Sequence, residues 1–404
     1  MPSIVDMVEI MQRLESKALH IEPRRCVMVR NRNASCRRCA QACPSGAIAL
    51  HDNTIEIDNE LCFECGSCST VCPTEAIVSL KPLDDDLAAR VQAQHEACPQ
   101  EAVIICARLV AKHRAAADRV VEVPCVGRVD ASLLVRMAAL GATDIRVVDG
   151  HCRTCRYRDA QVAADRSIEA ANALFSVWGV EARVQRTEEL PEAVLATSVQ
   201  EAKGGVSRRG FFSDLRSSAR SLAMEATQAA IDIEFNQGKK KESLRDVLKM
   251  DASGHMPQVT PERHMRIIGD MATMAEPSPD AVVEGPLFSR VFIDEEKCNN
   301  CGLCATFCPT GALRRVAEQS DDAGDGGQKT VVSAARAKAK QRHWIESRPW
   351  RCVGCEMCAD VCLKHAVTVE HALPCAALVE REPEVFEGSA VQSKSVFGGG
   401  GSRR

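Results

Sequence analysis

The sequence predicts an α+β multidomain protein: two small cysteine-held domains toward the ends, and a small α/β domain with a parallel sheet between them. Three observations predict this. Most of the 22 cysteines in the 404 residues gather in tight groups within residues 26–72 and 298–362. Between the groups, short β-branched runs alternate with helical stretches, the pattern of strands joined by crossover helices. A cysteine-free stretch, 197–285, separates the middle from the second group. The expected boundaries are 1–80, a connector at 81–97, 98–196, a helical or linker region at 197–285, 286–380, and a flexible tail at 381–404.

Composition narrows the function classes. Cysteines grouped like ligands, rather than dispersed like a disulfide scaffold, imply metal or cluster ligation in a reducing compartment. A net charge of −4 gives no nucleic-acid footprint. No run reaches the roughly 20 apolar residues that span a bilayer. MPSIVDMVEIMQRLESK is charged throughout, unlike a signal peptide, so a soluble cytoplasmic protein is expected. Aromatics are scarce, at ten Phe, three Trp and one Tyr, so ligation is expected to supply folding energy that a small core lacks.

Residues 1–22 predict a short amphipathic helix. The strongest motif follows. Cys62, Cys65, Cys68 and Cys72, with Pro73 behind, resemble the bacterial ferredoxin run, in which three close thiolates hold one 4Fe–4S cube and the fourth reaches its neighbour. Cys36, Cys39 and Cys43-Pro44 repeat its last three positions, with Asn33 where the first cysteine belongs. Cys26, heading the strand-like CVMVR, is the nearest substitute; a 3Fe–4S cluster or a non-cysteine fourth ligand are the alternatives. The 18 residues between Cys43 and Cys62 predict strand, Asp52-Asn53 turn and strand. The usual crossover would give Cys26, Cys36, Cys39 and Cys72 one cube, and Cys62, Cys65, Cys68 and Cys43 the other, with Ile48 and Ile77 excluding water.

After a helical connector, AVIIC (102–106), VVEVPC (120–125), DIRVVDG (144–150) and EARVQ (181–185) read as parallel strands, with helices at 107–117, 131–141 and 157–178. Cys106, Cys125, Cys152 and Cys155 then fall at the carboxyl ends of successive strands, the edge where α/β sites form. Four thiolates there suit a 2Fe–2S cluster; zinc is the rival, and a free buried Cys106 the third reading. Cys125, Gly127-Arg128-Val129-Asp130, Gly141, His151, Cys155 and Tyr157 resemble the iron–sulfur delta subunit of methyl-viologen-reducing hydrogenases over about 90 residues. That resemblance implies electron transfer between a hydrogenase and heterodisulfide reductase. Only Cys106 stands where the family has several cysteines, and Gly150 takes the place of the family cysteine before the histidine.

SRRGFF (207–212) resembles a twin-arginine export motif, but no apolar run follows it. Apolar residues from Phe212 to Ile233 recur three and four apart, predicting a helix that packs on its own domains or docks another subunit. GKKKES and 251–285 read as linker. Cys298, Cys301, Cys304 and Cys308-Pro309, then Cys352, Cys355, Cys358 and Cys362, complete a second dicluster ferredoxin-like domain. Crossover assigns Cys298, Cys301, Cys304 and Cys362 to one cube, and Cys352, Cys355, Cys358 and Cys308 to the other. The 43 residues between these motifs predict a surface excursion, and Cys98 and Cys375 read as structural.

No dinucleotide fingerprint, phosphate loop, HExxH or nucleophile–base constellation is present. Four 4Fe–4S clusters and a 2Fe–2S cluster without a substrate site predict a non-catalytic electron-transfer subunit of an oxidoreductase complex. The partners expected are a hydrogenase-like, flavin- or metal-bearing subunit, or a soluble ferredoxin. The alternatives are a catalytic cluster with an open site, and an iron–sulfur sensor or assembly factor.

Overall fold

The computed structural model describes residues 18–113, 115–150, 152–198, 248–251, 255–317 and 343–388. The helices expected at 1–22 and 212–233 fall largely or wholly outside the described residues. So do SRRGFF, GKKKES, most of the excursion after Cys308, and His151.

The first unit pairs β1 (Leu19–Ile21) antiparallel with a later strand, closing a ring around a hairpin. After α1 (Val27–Arg30) and α2 (Arg38–Gln41) come β2 (Ile48–His51) and β3 (Thr54–Ile57), in register Ile48↔Ile57. Asp52 and Asn53 both take positive φ, 45° and 59°, the geometry whose twist matches a two-residue hairpin. Then follow α3 (Ser67–Thr70) and β4 (Ile77–Ser79), the partner of β1. CVMVR is not the strand its β-branched residues suggest. It is one helical turn capped by Cys26, with Val27 and Val29 buried on opposite sides against separate clusters. Local propensity yields to packing here.

The connector is α4 (Asp84–Ala97), opened by three aspartates that suit the positive end of a helix. Its Leu87 and Val91 are fully buried in the core of the middle unit. There β5 (Ala102–Cys106), α5 (Ala107–His113), β6 (Val121–Val123), α6 (Ala131–Ala139), β7 (Asp144–Val148), α7 (Gln161–Trp178) and β8 (Arg183–Thr187) alternate. All strand pairs are parallel, in the order β6-β5-β7-β8. Every residue of β5 is buried, as a central parallel strand covered on both faces must be.

The stretch 251–285 is not only linker. It contains α8 (Glu262–Met274), whose Ile267, Ile268 and Met271 enter the middle core. Burying such side chains stabilises by about 1.5–3 kcal/mol each, enough to fix the helix on its neighbours. Next come β9 (Val282–Glu284), β10 (Arg290–Ile293), α9 (Leu303–Phe307), β11 (Leu313–Ala317) and β12 (His343–Ser347). The chain continues through α10 (Met357–Asp360), β13 (Val367–Glu370), β14 (Ala372–Pro374), α11 (Cys375–Val379) and β15 (Glu384–Phe386). Pairs β10–β13 and β11–β12 repeat the ring-and-hairpin plan of the first unit. The segment expected to begin a flexible tail instead adds β15 to β12, in register Ile345↔Phe386. Cys98 and Cys375 are both buried.

Candidate metal centres

The cysteine loops wrap because chosen residues adopt left-handed backbone. Within the three complete motifs these are Glu64 and Gly66, Asn300 and Gly302, and Gly354 and Glu356, with φ between 55° and 78°. Such residues turn successive N–H groups to one side and make a concavity that suits an anion. The third residue after each fourth cysteine is left-handed too: Gly46, Glu75, Gly311 and His365. It aims the next N–H at sulfur, as in Ala76 N–H to Cys72 Sγ (3.2 Å) and Ala366 N–H to Cys362 Sγ (3.3 Å).

Cys26, Cys36, Cys39 and Cys72 line one small cavity, walled by Ile77. Cys43, Cys62, Cys65 and Cys68 line a second, walled by Ile48. Cys308, Cys352, Cys355 and Cys358 line a third. Cys298, Cys301 and Cys304 lie in one another's electrostatic field, with Cys362 acting on Cys298. The segment at 384–388 closes over this last set: Asn300 donates to the Glu387 carbonyl (3.3 Å), and Gly388 comes close to Cys298.

At the sheet edge, Cys106 ends β5, Cys125 follows β6, and Cys152 and Cys155 follow β7. Cys125 feels Cys106 and Cys155, and Cys152 feels Cys125 and Cys106, so the topology gathers all four. Arg108 donates to Cys155 Sγ (3.1 Å). Among the described residues, no three His, Cys, Asp or Glu side chains converge tightly enough for a single metal ion.

The five sets also follow one another in space. Cys125 feels Cys65, and the Phe63 ring beside that cysteine stacks on Tyr157, with centroids 3.4 Å apart. Cys68 feels Cys39. Cys36 feels no C-terminal thiol strongly itself, but it raises Cys355, and both pack around Met357 and Val361. Cys358 feels Cys304. The last set reaches the surface at exposed Cys301.

A buried ionic hub fixes this succession, and little in the order of residues signals it. Arg263 of α8 donates to Asp84 (2.6 and 3.1 Å) and to Ser69 (2.7 and 2.8 Å). Arg128, fully buried, pairs with Asp84 and with Asp130 (3.2 Å). Glu75 accepts the backbone N–H groups of Glu262 (3.1 Å) and Arg263 (2.9 Å). Asp130 also caps α6 through the Ser132 N–H (2.9 Å). Arg128 lies so close over Gly66 that only glycine fits there, and Gly127 approaches Ser67 in the same way. The GRVD segment is thus the clamp that holds the middle unit on the Cys65–Cys68 loop. Burial alone would push the Asp84 carboxyl up, but Arg263 and Arg128 outweigh it and bring it down to about 2.

Burial pushes the thiols up, Cys26 to about 11, and Cys39, Cys125, Cys152, Cys304 and Cys352 to about 12. Such groups stay protonated at neutral pH unless a strong positive partner replaces their protons, which is the condition for cluster binding.

Comparison with known proteins agrees with this chemistry. A model of the 4Fe-4S dicluster domain matches residues 34–76, and one of the 4Fe-4S binding domain matches residues 291–314. The model of the methyl-viologen-reducing hydrogenase delta subunit matches residues 103–203. The chain is 45% identical over 42 residues to a subunit of the ion-translocating oxidoreductase complex of Methanosarcina acetivorans. That match covers 10% of this chain and 16% of the relative's length. The chain therefore carries ferredoxin-type regions on both sides of a hydrogenase-delta-like region, as its motifs predict. Among the described residues, no helix is long and apolar enough to cross a membrane.

Proposed function

We propose that the chain is an electron-transfer subunit of a cytoplasmic multi-subunit oxidoreductase, related in role to the hydrogenase and heterodisulfide-reductase systems. Its four ferredoxin-type sets hold 4Fe–4S clusters, with Cys26 as the missing ligand and the fourth cysteines exchanged as the crossover requires. The middle set holds 2Fe–2S. Bound there, each cluster stores and releases a single electron. The protein's part is to fix the spacing of the sets, donate N–H groups to sulfur and exclude water. The observation that carries the reading is the unbroken succession Cys125–Cys65, Cys68–Cys39, Cys36–Cys355 and Cys358–Cys304. Both ends of that succession suit partner subunits, one at the sheet edge and the other at exposed Cys301.

Zinc demands sulfurs about 2.3 Å from one ion, and among the described residues no three His, Cys, Asp or Glu side chains converge on such a point, which supports the cluster reading. Iron and sulfide analysis with low-temperature EPR, on protein purified without oxygen, tests the proposal. About 18 irons per chain, with a 2Fe–2S signal lost in Cys125→Ser, is the expected result. About 16 irons with none in the middle would leave two ferredoxin-type domains joined by a scaffold. Fewer than about 12 would overturn the four-cube assignment.

A further inference from the structure

We infer that Arg30, a residue of the N-terminal domain, sets the reduction potential of the C-terminal cube held by Cys308, Cys352, Cys355 and Cys358. The inference rests on the cluster reading above. Arg30 ends α1, four residues after Cys26, and is 4% exposed. Its guanidinium crosses the junction between the two end domains. Nη1 donates to the carbonyls of Arg24 (2.6 Å) and Pro257 (2.7 Å), Nε to that of Phe307 (3.1 Å), and Nη2 to that of Cys308 (3.5 Å).

No carboxylate among the described residues pairs with it. The other deeply buried arginines, Arg128 and Arg263, are both paired with aspartates. A guanidinium keeps its charge in a protein, and a buried charge without a partner is strongly destabilising. Burial works against the charge of Arg30, while its four carbonyl acceptors and the thiols of Cys308 and Cys355 act in its favour. Its donors reach the backbone of Phe307 and of Cys308 itself, so the counter-charge assigned to it is the thiolate-held cluster of the opposite domain. A fixed cation beside one cluster stabilises the more negative, reduced form, because Coulomb attraction is strong at low dielectric.

Arg351 also acts on Cys308, but it is less buried and donates to the carbonyls of Thr310 (2.7 Å) and Val259 (3.4 Å) within its own part of the chain. Glu356 acts on Cys36, but it is shared with Arg38 (3.7 Å) and His371 (3.7 Å).

The test is an EPR-monitored redox titration of the full chain, with the two C-terminal signals identified together by their loss in Cys355→Ser. Arg30→Met and Arg30→Gln should lower the midpoint of one of these two cubes and leave the other in place, cutting the equilibrium constant for its reduction about tenfold. For a one-electron couple that is about 59 mV. Arg30→Lys, which keeps the charge, should stay near the parent value, and Arg351→Met should shift it less than Arg30→Met. Glutamine retains donors for the carbonyls, so it reports even if Arg30→Met loses iron. Unchanged midpoints in Arg30→Gln at full iron content would overturn the inference, as would a drop in Arg30→Lys that matches the glutamine variant. A parent protein lacking the Cys355-dependent signals would instead fail the cluster reading, before any Arg30 variant is compared.

Discussion

Toward the two ends of the chain a cysteine set is made by a loop that wraps, whereas in the middle of the chain it is made by strands that stop at one edge. Three of the four end sets line cavities, walled mainly by the loops themselves and by a few strand residues such as Ile48, Ile77 and Leu313. The middle set borders a core of fully buried side chains such as Val103, Ile104, Val121 and Val147, which holds the sheet together whatever its edge contains. The difference teaches where folding energy comes from. A domain whose small core is built around its cysteines, as Val291, Ile293, Leu313 and Ile345 are, depends on what those cysteines bind, and a domain with a packed sheet depends on it far less.

The sharpest break in this comparison is expected from Cys355→Ser. Because the proposed ligation exchanges Cys308 and Cys362 between the two C-terminal sets, losing one cube should cost both, about eight irons. Limited proteolysis should then cut within 286–380. Loss of only four irons from an intact domain would show that the two halves stand alone.

Next in size is Arg263→Ala, which removes one of the two cations that Asp84 and Asp130 share and leaves Arg128 alone to balance both. Removing one partner from a buried ionic group costs up to about 3–5 kcal/mol. Chemical denaturation should show the middle and N-terminal units separating into two transitions; one unchanged transition would deny the hub its role.

A smaller effect is expected in acid. His264 of α8, buried against Phe288 and bonded to the Trp350 carbonyl (3.1 Å), is held down to about 4, chiefly by burial. An unfolded chain takes up this proton near 6.5, so it binds more protons than the folded chain between 6.5 and 4. Stability from this group is whole above 6.5 and is lost as pH falls toward 4, by roughly 3 kcal/mol. His264→Gln should flatten that part of the stability–pH curve, and a curve of unchanged slope would assign the acid loss elsewhere.

The smallest structural effect should follow Cys125→Ser. Circular dichroism and the four cubes should persist while about two irons are lost. Unfolding of the sheet would erase the distinction between the two kinds of site.

What can be read from the chain follows the same division. Each two-residue gap between cysteines specifies a local loop, so the sixteen end-domain cysteines lie in the four groups that their spacing suggests. The parallel strands are also visible as β-branched runs, and their carboxyl edge gathers Cys106, Cys125, Cys152 and Cys155. Helix α8 is not visible, because its apolar residues are interrupted by Arg263, His264 and Asp270. Those three are buried through partners as distant as Asp84, Arg136 and Trp350. Spacing along a chain cannot reveal a charge whose partner lies 179 positions away. The CVMVR segment misleads for the opposite reason: its β-branched residues are clear, but the turn that brings Cys26 to its cavity overrides them.

The exchange of ligands proposed within each end domain has a consequence for biosynthesis. All eight cysteines of the first domain lie within residues 26–72, joined by a two-residue hairpin turn, so that domain can be loaded with iron while most of the chain is still on the ribosome. The second domain waits for Cys362 and for its segment at 384–388, well after the first domain and the middle sheet have been made. The proposed relay would thus be assembled from its interior outward, with its exposed Cys301 end the last of the five sets to form.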